Sequence, residues 1–479
     1  MKKVLMFAAA AAMFAACSNS DDALTANASQ QALEPNAVGF DAYLLRNVTR
    51  AGDPGTITTA SLQAAASGFG VFGYYTDNND YEPLSLPNFM YNQQVTYDSG
   101  DGYWKYEPVK YWPNEYGSNA VSDDDDKVSF FAYAPWVNVT PSTGKVAAGE
   151  DKYGIVGMSR NSASGDPIIK YIASFDTDKS VDLLWGTIPA STTWNLINGG
   201  STDYTTSAGL PWLNVQRPKE AATQTAAAQR VKFQFEHALA QLDVKIDADV
   251  DGTDETNPVD SKTRIWVRSI TFNGFSMKGA LNLNNIAAKK ANWLDFGGVA
   301  DLVNGEAVTV FDGLKDGKEG TAGNVASNEK TLGLNPQIIQ SSDDIDFSGA
   351  APAWKAANTG VTNTPVSLFR KYDGSAYTAA DVPVMVIPNG DEFTVEIVYD
   401  VETLDPNLAN YVSDNKTKGS SIENRISKTV TFGSATTLEN GKKYTLKLHL
   451  GMNSVKLDAA VSDWDNSSAA QEVKLPSNN

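Results

Sequence analysis

The amino-acid sequence predicts an all-β protein, and three observations support this class. Short runs of aromatic and β-branched residues recur along the chain, and several of them alternate between apolar and polar side chains. Helical patterns are few, and no alternation of strand and helix indicates a parallel α/β sheet. A hydrophobic fraction of 42% in 479 residues supplies enough apolar surface for more than one core. We therefore predict two β-sandwich domains in tandem.

The charge balance excludes one class of partner. Asp and Glu outnumber Lys and Arg by 57 to 38, and the formal net charge is −19. Nucleic-acid binding requires clustered Lys and Arg against the phosphates, so nucleic acid is not an expected partner. A single cysteine excludes an intrachain disulfide, so packing alone must hold the cores together.

Residues 1–16 are predicted to be a signal peptide. A positive start, MKK, precedes an apolar run from Val4 to Phe14, and two alanines then lead to Cys17. This arrangement resembles a bacterial lipoprotein signal, which implies that Cys17 is lipidated and becomes the mature N-terminus. The following SNSDD is similar to the acidic export signal of surface lipoproteins, and residues 17–36 are polar and Ala-rich, as is typical of a flexible tether.

The N-terminal β-sandwich domain is predicted over residues 37–229, and it begins with a strand. Apolar side chains alternate with others in VGFDAYLL, and the alternating set is Val38, Phe40, Ala42 and Leu44. The bond between Arg50 and Ala51 follows, next to the breaker GDPG, so we expect it in an exposed loop. Further strands are predicted in GVFGYY, QQVTY, YWKYEPVKYW, KVSFFAYAPW and VDLLWG, with short helical patterns at 60–67 and 220–230.

The C-terminal β-sandwich domain is predicted over residues 230–479. In VKFQFEHALAQLDVKI the apolar phase changes around HALA, which indicates a β-bulge or a short turn there. Strands are predicted in IWVRSITFNGF, VPVMVIP, FTVEIVYDV, KYTLKLHLGM and VKLDAAVSDW. In KYTLKLHL the apolar face is predicted to consist of Tyr444, Leu446, Leu448 and Leu450.

Two short motifs copy ligand-binding loops without their context. Gly68–Gly73, GFGVFG, matches a dinucleotide-binding pattern, but the following YYTDNND does not begin a helix, so we predict a Gly-rich strand and no cofactor. Asp247–Gly252, DADVDG, copies the start of a calcium loop, but Pro258 stands where the last acidic ligand belongs. We favour an acidic hairpin loop there, and calcium binding stays open.

Catalytic and metal-ligating patterns are not found. The two histidines, His237 and His449, lack a Cys or His at metal-ligand spacing, and His237 is predicted to make a structural hydrogen bond. Acid pairs for glycoside hydrolysis stay open, but the sequence favours no particular pair. Sugar stacking is an alternative to core packing for four tryptophans, which are Trp104, Trp112, Trp136 and Trp185.

The landmarks along the chain occur in an order that resembles a known family. They are Cys17, TRAG, NFMYNQQVTY, YWKYEPVKYWP, VSFFAYAPW, VDLLWG, FQFEHALAQLDVKI and LENGKKYTLKLHLGMNSVKLDAAVSDW. This series resembles the fimbrillin family of Bacteroides-type bacteria, the Mfa-like and FimA-like subunits of surface pili. The resemblance covers nearly the whole mature chain and implies two transthyretin-like β-sandwich domains.

The resemblance also implies a route of assembly. The precursor would be carried to the cell outer membrane, exposed at the surface, on its lipid anchor. An Arg-specific protease would then cut between Arg50 and Ala51, with Arg46 as a substitute site, and residues 37–50 would leave as a removable first strand. A neighbouring fimbrillin subunit would supply a replacement strand, placing the protein in the fimbrium.

The position within such a pilus depends on the C-terminal segment. VKLDAAV, residues 455–461, is predicted to be the last strand, and the remaining DNSSAAQEVKLPSNN is weakly apolar. This composition favours a tip or accessory subunit that supports adhesion to a host or bacterial receptor. The alternatives are the major shaft subunit of the same pilus, or a surface glycan-binding lipoprotein.

Overall fold

The predicted all-β class is confirmed. The computed structural model of the chain describes residues 37–44, 57–82, 84–113, 126–177, 179–187, 215–216, 230–248, 263–284, 291–300, 302, 306–312, 345–346, 353–354, 361, 364–372, 377–388, 393–403, 420–430, 438–451, 455–463 and 471–473. The helix described in these ranges is α1, Thr59–Ala64, which begins in a capping box between Thr58 and Ser61.

Ten described strands precede the middle of the chain. They are β1 Gly39–Leu44, β2 Phe69–Tyr75, β3 Met90–Asp98, β4 Tyr103–Lys105, β5 Lys127–Ala134, β6 Gly154–Met158, β7 Ile168–Ile172, β8 Leu184–Thr187, β9 Val215–Gln216 and β10 Arg230–His237. The strand predicted in YWKYEPVKYW is shorter than expected, since β4 stops before Pro108, which has no N–H to donate to a ladder.

The remaining described strands run to the C-terminal segment. They are β11 Ala240–Ala248, β12 Thr263–Phe275, β13 Lys278–Asn282, β14 Asn292–Leu294, β15 Glu306–Asp312, β16 Ile345–Asp346, β17 Ala353–Trp354, β18 Val366–Ser367, β19 Arg370–Tyr372, β20 Tyr377–Asp381, β21 Val384–Val386, β22 Phe393–Thr403, β23 Ser420–Val430, β24 Lys442–Leu450, β25 Val455–Asp463 and β26 Gln471–Val473.

Four larger sheets organise these strands. The first sheet has the order β1-β10-β8-β5-β2-β3-β4, with β9 beside β5, and the second has the order β14-β13-β7-β6. The third sheet has the order β18-β11-β24-β25-β26, with β21 beside β11, and the fourth has the order β15-β12-β22-β23. Pairs β16-β17 and β19-β20 are separate.

The buried apolar side chains form two clusters. One cluster joins the first and second sheets, and the other joins the third and fourth sheets. Strand β24 shows how the sequence determines such a face, because every second residue from Tyr444 to Leu450 is buried and those between are half-buried. The prediction for KYTLKLHL is therefore confirmed.

The boundary predicted at residue 230 differs from the division between the cores. Residue 230 begins β10, and β10 lies in the first sheet beside β1 and β8. The chain passes to the third sheet at Ala238 and Leu239, inside the HALA segment where the apolar phase changes. The second sheet also combines strands from both sides of residue 230, since β13 pairs with β7.

The C-terminal segment differs from expectation as well. VKLDAAV forms most of β25 but is not the last strand, because β26 pairs with it antiparallel at Ala459, Ala460 and Val461. Main-chain pairing alone defines β26, and its sequence, QEV, has no alternating apolar pattern that would predict a strand.

Candidate functional site

The candidate site surrounds β1, the strand predicted to be removable. Val38 and Phe40 are fully buried, Ala42 is buried, and Leu44 packs half-buried against the same cluster. The other predicted site residues are Cys17, Arg50 and Ala51, and all three lie outside the described residues.

Phe40 is the main apolar anchor of β1. Its ring is 0% exposed, and its centroid lies 5.4 Å from Tyr106, 5.5 Å from Phe130 and 6.0 Å from Phe233. The contacts with Phe130 and Phe233 come from β5 and β10, two other strands of the first sheet. Removing β1 would therefore open an aromatic-walled groove in the first core.

The main chain of β1 is paired with β10 along one edge, and on the other side the chain is held at Val38, directly before β1. Along one edge it runs parallel to β10, in a register that places Phe40 opposite Val231 and Leu44 opposite Phe235. On the other edge the Val38 N–H donates to Lys110 O at 2.9 Å, and the Tyr106 hydroxyl donates to Val38 O at 2.7 Å. Loss of this segment would leave the edge of β10 and the carbonyl of Lys110 without these main-chain partners.

The Tyr106 hydroxyl links Val38, directly before β1, to Lys110. This hydroxyl also accepts a hydrogen bond from Lys110 N–H at 3.1 Å. Burial raises the pKa of Tyr106 to about 12, because the phenolate would lose its hydration there. The phenol therefore stays protonated at physiological pH and remains a hydrogen-bond donor to β1.

The outer face of β1 carries a buried ion pair. The guanidinium of Arg230 donates from Nη1 to Asp41 Oδ1 at 3.4 Å, and both residues are buried. The guanidinium also lies over the Tyr103 ring, 5.1 Å from its centroid. Both faces of β1 are thus covered, one by apolar side chains and the other by a charge pair.

The chain that follows the predicted cut is held separately from β1. Ile57 N–H donates to Asp182 Oδ2 at 2.9 Å, and the same oxygen lies 2.9 Å from His237 Nδ1. His237 and Asp182 are both buried, so His237 makes the structural hydrogen bond that the sequence predicted. Release of β1 would leave this attachment intact.

Sequence reasoning missed three residues of this site, which are Tyr103, Tyr106 and Arg230. Asp41 and Arg230 are 189 positions apart, so no local spacing connects them. The one available signal is the odd position of Asp41 inside an otherwise apolar strand, since an acid buried in a strand requires a partner.

The structure describes one of the two ligand-like motifs in full. Gly68 has φ +58°, and a Cβ there would lie 2.0 Å from Val95 O, so GFGVFG begins a close strand pair and continues into β2. Asp247 pairs with His449, and the rest of the DADVDG loop after Ala248 lies outside the described residues. The described residues contain no group of three or more metal-ligating side chains.

The four tryptophans that could stack on sugars are occupied. Trp104, Trp112 and Trp185 are buried, and the half-buried Trp136 donates from its indole nitrogen to Asn92 O at 3.0 Å. Three of them therefore pack in the core, as the sequence favoured, and Trp136 packs half-buried against it. Within the described part of the chain, no helix has the length and apolarity needed to cross a membrane.

The fold and this site define an all-β protein whose first strand packs its apolar side chains into the core between the first and second sheets. The chain is similar to fimbrium subunit Fim1C of Phocaeicola vulgatus, with 23% identity over 433 residues, covering 88% of this chain and 86% of the relative. The predicted resemblance to fimbrial subunits of Bacteroides-type bacteria is therefore confirmed.

The fold is also similar to that of a solved structure. A crystal structure of a fimbrial protein from Bacteroides vulgatus aligns with 19% identity and a TM-score of 0.48, covering 89% of this chain and 99% of that chain. No protein-family model matches the sequence.

Proposed function

We propose that this protein is a structural subunit of a bacterial surface pilus, and not an enzyme. The observation that carries the proposal is the packing of β1, which places Phe40 in an aromatic groove and pairs with β10, while Val38 directly before it is bonded to Lys110 and Tyr106. The similarity to a fimbrium subunit supports the same conclusion.

The proposed assembly begins with release of β1. The precursor is anchored to the outer membrane through lipidated Cys17, and an Arg-specific protease cuts between Arg50 and Ala51. Residues up to Arg50 then leave with the lipid, while Ile57 stays bound to Asp182. The intrinsic strand blocks assembly until this cut is made.

A strand from a neighbouring subunit then takes the place of β1. An extended segment that pairs with an exposed strand edge gains main-chain hydrogen bonds, and its alternate side chains fill pockets. Both determinants are present at β1, since β10 offers a ladder and the Phe40 site offers a deep apolar pocket. The neighbour's strand would therefore occupy the place of β1 in the first sheet and join the two subunits, with the number of strands in that sheet unchanged.

We place the protein at the tip of the pilus, or in an accessory position, where it supports adhesion to a host or bacterial receptor. A donor strand for the β1 groove needs alternating apolar side chains, and the QEV sequence of β26 has a single one, Val473. The major shaft subunit is the alternative role. Glycan binding through the four tryptophans has no support from their packing.

The test compares the precursor with two matched arginine variants. Treat wild type, Arg50→Ala and Arg46→Ala with an Arg-specific protease, and follow assembly by size-exclusion chromatography and electron microscopy. With other pilus subunits supplied as strand donors, we expect wild type and Arg46→Ala to enter oligomers, and Arg50→Ala to remain monomeric. Persistent monomers after a clean cut at Arg50, even with other pilus subunits supplied, would contradict the proposal.

A further inference from the structure

The groove that holds β1 contains a buried positive charge as well as apolar pockets. We infer that the strand which replaces β1 carries a carboxylate at the position of Asp41, where it pairs with Arg230. This inference rests on the proposed strand exchange and adds the chemistry of the incoming segment.

The charge belongs to Arg230, at the beginning of β10. Its side chain is 0% exposed, and among the described residues Asp41 is the acid paired with its guanidinium. The Nε and Nη2 atoms of Arg230 have no hydrogen-bond partner within the described part of the chain. The ring of Tyr103 covers the guanidinium but contributes no carboxylate.

A buried guanidinium discriminates strongly between incoming strands. Breaking a buried ion pair by removing one partner is costly, because the remaining charge stays desolvated without compensation. When β1 leaves, water can enter the open groove, and any strand that binds there afterwards buries Arg230 again. An uncharged strand of the same shape would bury the guanidinium without a carboxylate partner, and a Lys there would add repulsion.

The parallel register with β10 also determines which positions of the incoming strand must be apolar. Side chains at the positions of Val38, Phe40 and Ala42 point into the first core, whereas Asp41 lies on the opposite face beside Arg230. The geometry therefore selects an extended segment of another pilus subunit in which an Asp or Glu stands between two apolar residues. The segment runs parallel to β10.

The test measures strand exchange with peptides. The full chain is cut at Arg50, the cleaved fragment is dissociated and removed, and its loss is verified by mass spectrometry. A fluorescent peptide of residues 37–45 is then titrated in, as wild-type sequence and with Asp41→Asn or Asp41→Lys. Fluorescence anisotropy reports the affinity. Each peptide is also titrated against Arg230→Gln and against the matched control Arg425→Gln, an exposed arginine of β23 that pairs with Glu396.

We expect the wild-type peptide to bind and Asp41→Asn to bind about 30-fold or more weaker, with Asp41→Lys weaker still. Arg230→Gln should bring the wild-type and Asp41→Asn peptides to similar affinity, and Arg425→Gln should behave like the parent.

Equal binding of all three peptides to the parent protein would overturn the carboxylate requirement and leave strand exchange standing. Failure of the wild-type peptide itself to bind would overturn both this inference and the proposed function. The peptide comparison on the parent protein decides the question even where Arg230→Gln does not fold.

Discussion

Truncation of Phe40 tests how firmly β1 is held. The ring is 0% exposed, so Phe40→Ala forfeits a burial term of about 1.5–3 kcal/mol and leaves a cavity among Tyr106, Phe130 and Phe233. Transfer and cavity terms together give a loss of about 3–5 kcal/mol. The three ring contacts place the value toward the upper end, since an aromatic pair adds about 0.5–1.5 kcal/mol beyond its buried area.

Hydrogen exchange of the β10 amides is the appropriate assay, because β1 pairs directly with this strand. The uncut precursor with Phe40→Ala should exchange these amides about 100-fold or more faster, the equivalent of about 3 kcal/mol. Leu84→Ala, a substitution at a residue that is 77% exposed, is the control and should change stability by less than about 0.5 kcal/mol. A change at Phe40 of less than about 1 kcal/mol would refute the assignment of Phe40 as the anchor.

Three further predictions concern the neighbours of β1 and the lipid anchor. Tyr106→Phe removes the donor to Val38 O, and it should lower β1 protection by about 0.5–1.5 kcal/mol in the same exchange assay; an unchanged rate would contradict the role of this hydrogen bond. The native phenol of Tyr106, with its pKa raised to about 12, keeps a proton that the unfolded phenol loses near pH 10. The contribution of protonated Tyr106 to the free energy of unfolding is therefore present below pH ~10 and is lost as the pH rises towards ~12. Denaturant unfolding at a series of pH values will measure this loss, and phenolate absorbance will report the ionisation. Cys17→Ser should abolish incorporation of a palmitate analogue and release the precursor from the membrane fraction, and unchanged labelling would remove the case for a lipoprotein.

The sequence predicts those parts of the fold in which one face is apolar. The alternation in VGFDAYLL and KYTLKLHL defines β1 and β24, and the phase change at HALA marks the passage between sheets. A single-faced pattern cannot predict β10 fully, because Arg230 and Gln234 are buried on its other face. The strand that begins at residue 230 therefore lies in the first sheet, and β13 pairs with β7 across the predicted boundary.

In the candidate site, too, the sequence predicts some residues and not others. The apolar residues of β1 follow from local periodicity, which is a property of consecutive residues. The partners of β1 do not, since Asp41 meets Arg230 only after the chain has built the first sheet and returned as β10. Tyr106 is similarly unremarkable in sequence and gains its role from its position beside Val38.

The most direct test of the account asks whether β1 is absent from the assembled protein. Filaments formed after cleavage at Arg50 are purified, and the fragment that contains Phe40 is quantified by mass spectrometry against the rest of the chain. Strand exchange predicts that the fragment accompanies cut monomers but is lost from assembled subunits. Filaments that retain one copy of the fragment per subunit would contradict the central claim, because the groove would still hold its own strand.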